Sequence, residues 1–354
     1  MSDVFFSDLR ASTEKDNIPN KITRLFRKGK MNTVYQEGDL VGFKTHFGEP
    51  GNVSFLRPQF LARMVDIVSK DGARPFLTDS NTLYVGSRSN AVDHLHTAVM
   101  HGFNYPVVNA PVVIADGLKG HDQVEVEVNQ KRCRTVKIGS AVMEADSIIC
   151  VSHFKGHMMT GFGGALKNLG MGCGSRAGKL DMHNGMRPKV DMDVCRGCGT
   201  CVAKCPAKAI GLKDRKAQVV ISACIGCGEC LVVCPYEAVM PDDWSNDQKA
   251  LHEKMVEYCY GFMKGRRERF GFVTFIVDVS PDCDCAPWND TAIVPNIGIL
   301  MSKDIVAIDQ AAADLVNASA GLGGSALKGD LSPGIDKWRG LHGLDWESQL
   351  QYAE

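Results

Sequence analysis

Residues 195–210 read CRGCGTCVAKCPAKAI and residues 224–239 read CIGCGECLVVCPYEAV, and this repeat decides the fold predicted for the chain around it. Each copy has the spacing C-x2-C-x2-C-x3-C-P. With this spacing, three thiolates of one run bind one iron-sulfide cube, and the fourth thiolate reaches across to the other cube. The repeat therefore predicts a small domain that is built around two 4Fe-4S clusters.

Eight of the fourteen cysteines are assigned to these clusters. The predicted ligands are Cys195, Cys198, Cys201 and Cys234 for one cluster, and Cys224, Cys227, Cys230 and Cys205 for the other. A pair of zinc knuckles is the alternative, but zinc sites use two C-x2-C pairs and not triplets that are followed by C-x3-C-P. Over its whole length the block resembles the bacterial two-cluster ferredoxins.

The segments on both sides of the block alternate between apolar runs and helical periodicity. Strands are predicted at residues 39–45, 74–78, 112–115, 147–151, 272–279 and 293–300, a hairpin at 124–138, and helices at 21–30, 57–70, 89–101, 246–267 and 304–317. The last thirty residues show no clear element. This alternation predicts an α/β fold with a mostly parallel sheet that is covered on both faces.

The cysteine block interrupts this alternation, as an inserted domain does, because insertions are tolerated where both ends meet at a surface loop. We expect an α/β core from residues 1–187 and 243–354, and an α+β ferredoxin-like insertion at residues 188–242. Two cubes in one small fold lie close enough to pass electrons between them. A ferredoxin-like or other redox protein is therefore an expected partner.

Composition excludes several other classes of partner. The formal net charge is -1 and the pI is about 6.8, so no global field favours nucleic acid or an anionic membrane. The first twenty residues contain no apolar run of a signal peptide, and no stretch reaches the roughly 20 apolar residues of a membrane helix. We expect a cytoplasmic protein, in which fourteen cysteines indicate metal binding more than disulfides.

A second unusual segment, VSHFKGHMMTGFGGALKNLGMGC at residues 151–173, follows a predicted strand. Open α/β sheets bind ligands at this end of their strands. Gly163 and Gly164 leave backbone N–H groups free to approach an anion, and Lys167 and Asn168 add charge and hydrogen bonds. The segment predicts a site for a small anionic substrate or cofactor. A glycine-rich turn with solvated basic residues is the alternative.

Alternating basic residues precede these glycines. On an extended segment His153, Lys155 and His157 would all face one side. We interpret His153, His157 and Lys167 as candidate catalytic residues, since reduction by single electrons needs matched proton delivery. Lys155 is a candidate binding residue.

Polar residues also follow two earlier strands. Lys44 and His46 come at the end of one, and Asp79 and Asn81 at the end of the next. If the sheet is parallel, these residues gather at the same edge as the glycine-rich segment. Each is as often a helix cap as a binding residue, but together they predict one substrate pocket.

The segment DCDCAPW at residues 282–288 follows a later strand. Because cysteines one residue apart cannot readily close a disulfide, Cys283 and Cys285 suggest an additional metal or thiol site, or else small buried residues. Asp304 and Ser302 are interpreted as helix N-cap residues. Cys133, Cys150 and Cys259 lie in apolar or helical surroundings and are expected to pack in the core.

Nearly the whole chain resembles the uncharacterised Fe-S centre proteins, domain of unknown function family 362. The resemblance is carried by KTHFGEPGN (44–52), residues 152–172, the two cysteine runs, DCDCAPW and GILMSKDIVAID (298–309). It implies an α/β core with a ferredoxin insertion and a place in anaerobic metabolism, but no agreed substrate. Residues 152–172 are also similar, over about twenty residues, to the histidine, glycine and lysine segment of nickel-pincer lactate racemases.

These observations favour an iron-sulfur oxidoreductase that passes electrons between its clusters and a small anionic molecule in the α/β core. The first alternative is an electron carrier or maturation accessory protein without its own substrate. The second is a non-redox isomerase-like enzyme with structural clusters and a further core cofactor. Neither a dinucleotide fingerprint nor a P-loop occurs in the sequence.

Overall fold

The computed structural model describes residues 2–83, 86–183, 188–205, 207–224, 230, 233–236, 238–241 and 248–354. Its strands are β1 (Val4–Asp8), β2 (Leu40–Lys44), β3 (Arg74–Asp79), β4 (Val112–Ile114), β5 (Gln123–Glu127), β6 (Thr135–Gly139), β7 (Ser147–His153), β8 (Lys155–His157), β9 (Gly161–Gly163), β10 (Pro188–Val190), β11 (Ile210–Lys213), β12 (Lys216–Val219), β13 (Val239–Pro241), β14 (Phe270–Ile276) and β15 (Gly298–Ser302).

The α-helices are α1 (Ile18–Lys28), α2 (Pro58–Lys70), α3 (Ala91–Met100), α4 (Tyr105–Val108), α5 (Ser140–Glu144), α6 (Ala165–Cys173), α7 (Arg176–Met182), α8 (Thr200–Lys204), α9 (Gln248–Met263), α10 (Ile305–Ala318), α11 (Lys337–His342) and α12 (Ser348–Ala353). Short 3-10 helices lie at Glu14–Asp16, Met31–Thr33, Ile221–Ala223 and Arg267–Arg269. Among the described helices, none combines the length and the apolar character that a bilayer crossing requires.

The central sheet has the strand order β1-β15-β14-β7-β2-β3-β4. Strands β14, β7, β2, β3 and β4 are joined by parallel pairings, and β15 runs antiparallel to both of its neighbours. The predicted α/β class with a mostly parallel sheet is confirmed. As a result, the carboxyl ends of five adjacent strands lie along one edge of the sheet.

Strand β7 shows why these residues form the middle of the sheet. All of its residues, SIICVSH, are buried. Ile148 and Cys150 belong to one apolar cluster together with residues of α6, α9 and α10, whereas Ile149 and Val151 belong to another with residues of α1 and α2. Because successive side chains of a strand point to opposite faces, the sheet is covered on both sides.

The structure adds elements at both ends of the chain that the sequence pattern does not predict. Strand β1 pairs with β15, which comes almost three hundred residues later, so its five residues have no local partner. Helices α11 and α12 are only six residues long, and fewer than two turns give no readable period. They are fixed by tertiary packing: buried Trp338 of α11 contacts the rings of Phe154 and Phe162, and Leu350 of α12 is buried in the same apolar cluster.

The cysteine block forms two small antiparallel pairs outside the central sheet. Strands β11 and β12 make a hairpin, and β10 pairs with β13. The second pair joins the entry to the block, at Pro188–Val190, with its exit, at Val239–Pro241. Both ends of the block therefore lie side by side.

Candidate functional site

A cavity of about 140 Å³, called the core cavity below, opens at the carboxyl edge of the sheet. Lys44 is the last residue of β2 and Asp79 the last of β3, and the segment after β7 supplies a further wall. The residues predicted from the sequence that line it are Lys44, His46, Asp79, Lys155, His157, Gly163, Gly164, Lys167, Asn168, Cys283 and Cys285.

Two residues that were predicted for the site do not line the core cavity. His153 Nδ1 donates to Asp284 at 2.9 Å and its Nε2 donates to the Val277 carbonyl at 2.7 Å. The three basic residues do not share a face, because β7 ends at His153 and the chain starts the separate strand β8 at Lys155. Asn81 is buried against Asp116, to which its side chain donates at 2.9 Å.

Lys44 is held at the floor of the core cavity by two oxygen acceptors. Its Nζ lies 3.0 Å from Asp79 Oδ1 and 2.6 Å from Asn168 Oδ1. Asn168 in turn donates to the Val151 carbonyl at 3.0 Å. A Cβ on Gly172 would lie 2.5 Å from Lys44 Nζ, so a larger residue here would displace this ammonium. The lysine is therefore fixed by charge and by the shape of α6.

A second buried ion cluster supports the loop that carries the two cysteines. Asp284 is fully buried, and its Oδ2 lies 3.1 Å from Lys155 Nζ as well as 2.9 Å from His153 Nδ1. Burial alone would raise the pKa of Asp284, but the charges of His153 and Lys155 outweigh burial and hold that pKa well below its usual range. Asp284 therefore stays ionised and anchors the loop to β8.

Arg88 is a cavity residue that sequence reasoning missed. It is 2% exposed, and its Nε donates to Glu49 Oε2 at 2.8 Å. Glu49 also accepts from the Ser87 backbone N–H at 2.7 Å. The sequence gives no helical or strand period around Arg88, and only the fold brings it opposite Glu49 of the quoted GEPGN segment.

Lys179 and His183 are two more cavity residues that were missed. Both lie in or directly after α7, and Lys179 Nζ donates to the Gly174 carbonyl at 2.6 Å. Burial lowers the pKa of Lys179, although Asp116 and Asp79 oppose this shift. An α7 of seven residues shows no period from which the buried lysine could be recognised.

His157 faces the core cavity as a neutral imidazole. Burial, and then the charges of Lys167 and Lys155, hold its pKa well below the usual range. Its Nδ1 accepts from the backbone N–H groups of Met159 and Thr160, both at 3.2 Å. In a neutral ring this leaves the proton on Nε2, so His157 can act as a hydrogen-bond donor.

The cysteines of the DCDC segment lie beside this imidazole. Ligand atoms of His157, Cys283 and Cys285 all lie within 4.8 Å of one another. Lys167 Nζ lies 3.6 Å from Cys283 Sγ. The hydrogen bond from Cys285, followed by the charges of Lys167 and Lys155, holds the pKa of Cys283 well below its usual range against the effect of burial.

Asp309 is the last residue of the GILMSKDIVAID segment (298–309). In the structure Asp304 caps α10, accepting from the Val306 and Ala307 backbone N–H groups, whereas Ser302 bonds to Asp3. Asp309 reaches the start of α6, where it accepts from the Ala165 and Leu166 N–H groups at 2.7 and 2.9 Å. It thus fixes the helix that carries Lys167 and Asn168.

Burial raises the pKa of Asp309 to about 7, above its ordinary value of 3.8. The folded chain then holds a proton that the unfolded chain releases, so Asp309 makes the protein less stable as the pH rises from about 4 to 7, by up to about 1.4 kcal/mol per pH unit. We expect Asp309→Asn to flatten the pH dependence of the thermal unfolding midpoint across this window. Asp314→Asn, an exposed change on the same helix, is the control, and an equal pH slope in both variants would contradict the shift.

The four cysteines that were predicted for the first cluster lie together in the structure. A small cavity of about 10 Å³ is lined by Cys195, Cys198, Cys201 and Cys234, together with residues around them. Backbone N–H groups point at two of these sulfurs, from Ala217 to Cys195 at 3.5 Å and from Ala238 to Cys234 at 3.3 Å. The fourth cysteine of the second run therefore meets the first three of the first run.

The second predicted quartet is described in part. Cys205 accepts from the Ala209 N–H at 3.2 Å and is half-buried, as is Cys224, whereas Cys230 is buried. Cys227 lies outside the described residues. Outside the runs, Cys133, Cys150 and Cys259 are buried in an apolar cluster, as predicted.

These features define the class of the protein. It is an α/β chain with a polar cavity at the edge of its sheet and a separate cysteine block. The chain matches the family described as Domain of unknown function (DUF362) over residues 41–314. It therefore belongs to this family. Part of the chain is similar to a probable ferredoxin of Methanosarcina thermophila, with 59% identity over 29 residues, which cover 8% of this chain and 50% of that protein.

Two solved structures overlap the chain in part. The lactate racemase apoprotein from Thermoanaerobacterium thermosaccharolyticum gives a TM-score of 0.39 at 12% identity, covering 74% of this chain and 49% of that one. A protein from Thermotoga maritima gives a TM-score of 0.38 at 10% identity, covering 75% and 52%. The chain spans about half the length of these structures and of the ferredoxin.

Proposed function

We propose that the chain is an iron-sulfur redox enzyme in which residues 188–242 form an inserted two-cluster domain and the core cavity binds a small carboxylate-bearing molecule. The observation that carries the proposal is the position of the residues that precede and follow the block along the chain. His183, near the entry to the block, and Leu251, shortly after its exit, both line the core cavity. Two residues of the cavity wall therefore lie within ten positions of the cysteine block along the chain.

The donor set fits 4Fe-4S clusters. Four thiols surround one small cavity, and backbone N–H groups are directed at the sulfurs, as is common around such clusters. Gly197, with φ of 66°, lies so close to Arg215 that a Cβ would come within 2.0 Å of its carbonyl oxygen. When bound, the clusters would supply single electrons.

The charges around the core cavity fit an anion. Lys44, Arg88 and Lys155 pair with the carboxylates of Asp79, Glu49 and Asp284. Lys167 faces Cys283 and pairs with no carboxylate among the described residues. The volume of about 140 Å³ is close to that of a cavity that holds one benzene ring, roughly 150 Å³. The ligand is therefore a small molecule.

The polar groups also suggest how a proton is delivered. Lys167 carries an ammonium into the cavity, and His157 presents its Nε2–H. Both can donate a hydrogen bond that orients a carboxylate, and the Lys167 ammonium can also supply the proton that a reduction by single electrons requires. Lys44 and Asn168 hold each other and give the floor a fixed shape.

The test uses holoprotein that is purified without oxygen and reduced with dithionite, which is then removed. A panel of small carboxylates, including 2-oxo, 2-hydroxy and unsaturated acids, is added, and reoxidation is followed by visible absorbance. We expect at least one acid to reoxidise the protein, and Lys167→Met to slow that reaction by about 100-fold, the size of effect that one positioned proton donor has.

Lys328→Met is the matched control, because Lys328 is an exposed lysine that does not line the cavity. It should reoxidise at the wild-type rate. If no acid binds and the wild type and Lys167→Met respond alike, the proposed substrate site is wrong. Rapid exchange with ferredoxin-like partners alone would then support an electron carrier.

A further inference from the structure

Cys283 is positioned as a reactive group within the core cavity. It is 6% exposed, and it lies in the loop after β14 that Asp284 anchors. Lys167 Nζ, on α6, lies 3.6 Å from its sulfur. Among the described residues, this thiol is the hydrogen-bond partner of the ammonium. A thiol and an ammonium thus meet where the ligand would sit.

The neighbouring groups favour a thiolate over a metal ligand at this position. His157 lies beside Cys283 and Cys285 and would be the third ligand of a metal. Its Nδ1 lone pair accepts from two backbone N–H groups, so its Nε2 carries a proton and cannot bind a cation. Lys167 and Lys155 both line the cavity beside the two cysteines, and their charges repel a cation while they stabilise an anion.

We propose that Cys283 is a thiolate nucleophile that adds to small 2-oxo carboxylates bound in the core cavity. The proposal rests on the anion site of the proposed function, but it does not depend on the clusters. The carboxylate group of the ligand would lie against the cavity's cations, and the carbon of its 2-oxo group would face the sulfur. Cys285, two residues on, stays a thiol that donates to Cys283, because the neighbouring thiolate raises its pKa well above the usual range.

The step is balanced without a further reactant. Cys283 Sγ forms a bond to the carbonyl carbon, and the C=O π bond breaks. The carbonyl oxygen takes a proton from the Lys167 ammonium, which becomes a neutral amine. The product is a hemithioketal, and no electron is gained or lost.

The test alkylates oxygen-free holoprotein at pH 6.5 with iodoacetate or iodoacetamide, which are similar in size but differ in charge, and locates the label by peptide mass spectrometry. We expect Cys283 to react first with either reagent. The ratio of the iodoacetate rate to the iodoacetamide rate should exceed that of free cysteine by about tenfold. Pyruvate should protect the thiol.

Three variants make the outcome specific. Lys167→Met should slow alkylation of Cys283 at pH 6.5 about threefold, because a rise of one unit in thiol pKa across this pH lowers the thiolate fraction from about three quarters to about one quarter. Lys167→Arg, which keeps the charge, should restore the rate. Cys285→Ser, whose hydroxyl can still donate, should leave Cys283 the fastest-reacting site.

Alkylation of Cys283 no faster than that of Cys285, or unchanged in Lys167→Met, would overturn the proposal. So would labelling that begins only after a chelator has removed a bound divalent metal. Reoxidation by carboxylates in the presence of an inert Cys283 refutes the nucleophile and leaves the redox function. A reactive Cys283 without reoxidation refutes the redox function and leaves the nucleophile.

Discussion

Replacing Cys234 with serine is expected to remove the cluster that is assigned to the first cysteine run. Cys234 belongs to the second run, yet it lines the same small cavity as Cys195, Cys198 and Cys201. With two clusters per chain, the iron content should fall from about eight to about four atoms. Iron and acid-labile sulfide, measured on oxygen-free protein, give the result directly.

A comparison of variants in pairs is more informative than the loss of iron from one variant. If the fourth thiolates are shared crosswise, Cys234→Ser and Cys195→Ser should leave the same remaining paramagnetic spectrum after reduction, and Cys205→Ser should match Cys224→Ser. Cys133→Ser is the control, because Cys133 packs in the apolar core. If Cys234→Ser matched Cys224→Ser instead, each run would hold its own cluster and the crosswise assignment would be wrong.

The parts of the fold that could be predicted are those in which local sequence carries its own period. The buried run of β7 and the amphipathic helix α2 are recognisable because their apolar residues repeat at strand and helix spacing. Strand β1 and helices α11 and α12 could not be found in this way. They are short, and contacts that are distant in sequence hold them in place.

The residues of the candidate site divide in the same way, into those that the local sequence reveals and those that only distant packing brings together. Lys44 and Asp79 could be predicted because they end parallel strands, and parallel strands bring their carboxyl ends together. Arg88 and Lys179 could not, since each becomes a cavity residue only through packing between distant elements. His153 was placed in the site by its alternation with Lys155, but a strand boundary separates the two residues.

Replacing Asp284 with asparagine is expected to lower the free energy of unfolding by about 3–5 kcal/mol, the range found when one partner of a buried ion pair is removed. The amide keeps the shape of the side chain but leaves Lys155 and His153 facing each other without a counter-ion. Chemical unfolding of oxygen-free protein measures the loss. Asp282→Asn, in the same loop but partly exposed, should change stability by less than about 0.5 kcal/mol.

The double variant Asp284→Asn with Lys155→Met separates electrostatics from shape. If the loss comes from an uncompensated charge, removing the ammonium as well should recover 1 kcal/mol or more, roughly the coupling of contacting residues. Additive losses would mean that Asp284 acts only through packing. The distinction bears on function, since Asp284 ties the DCDC loop to β8. A loop held by charge places Cys283 beside Lys167 only while both partners stay ionised.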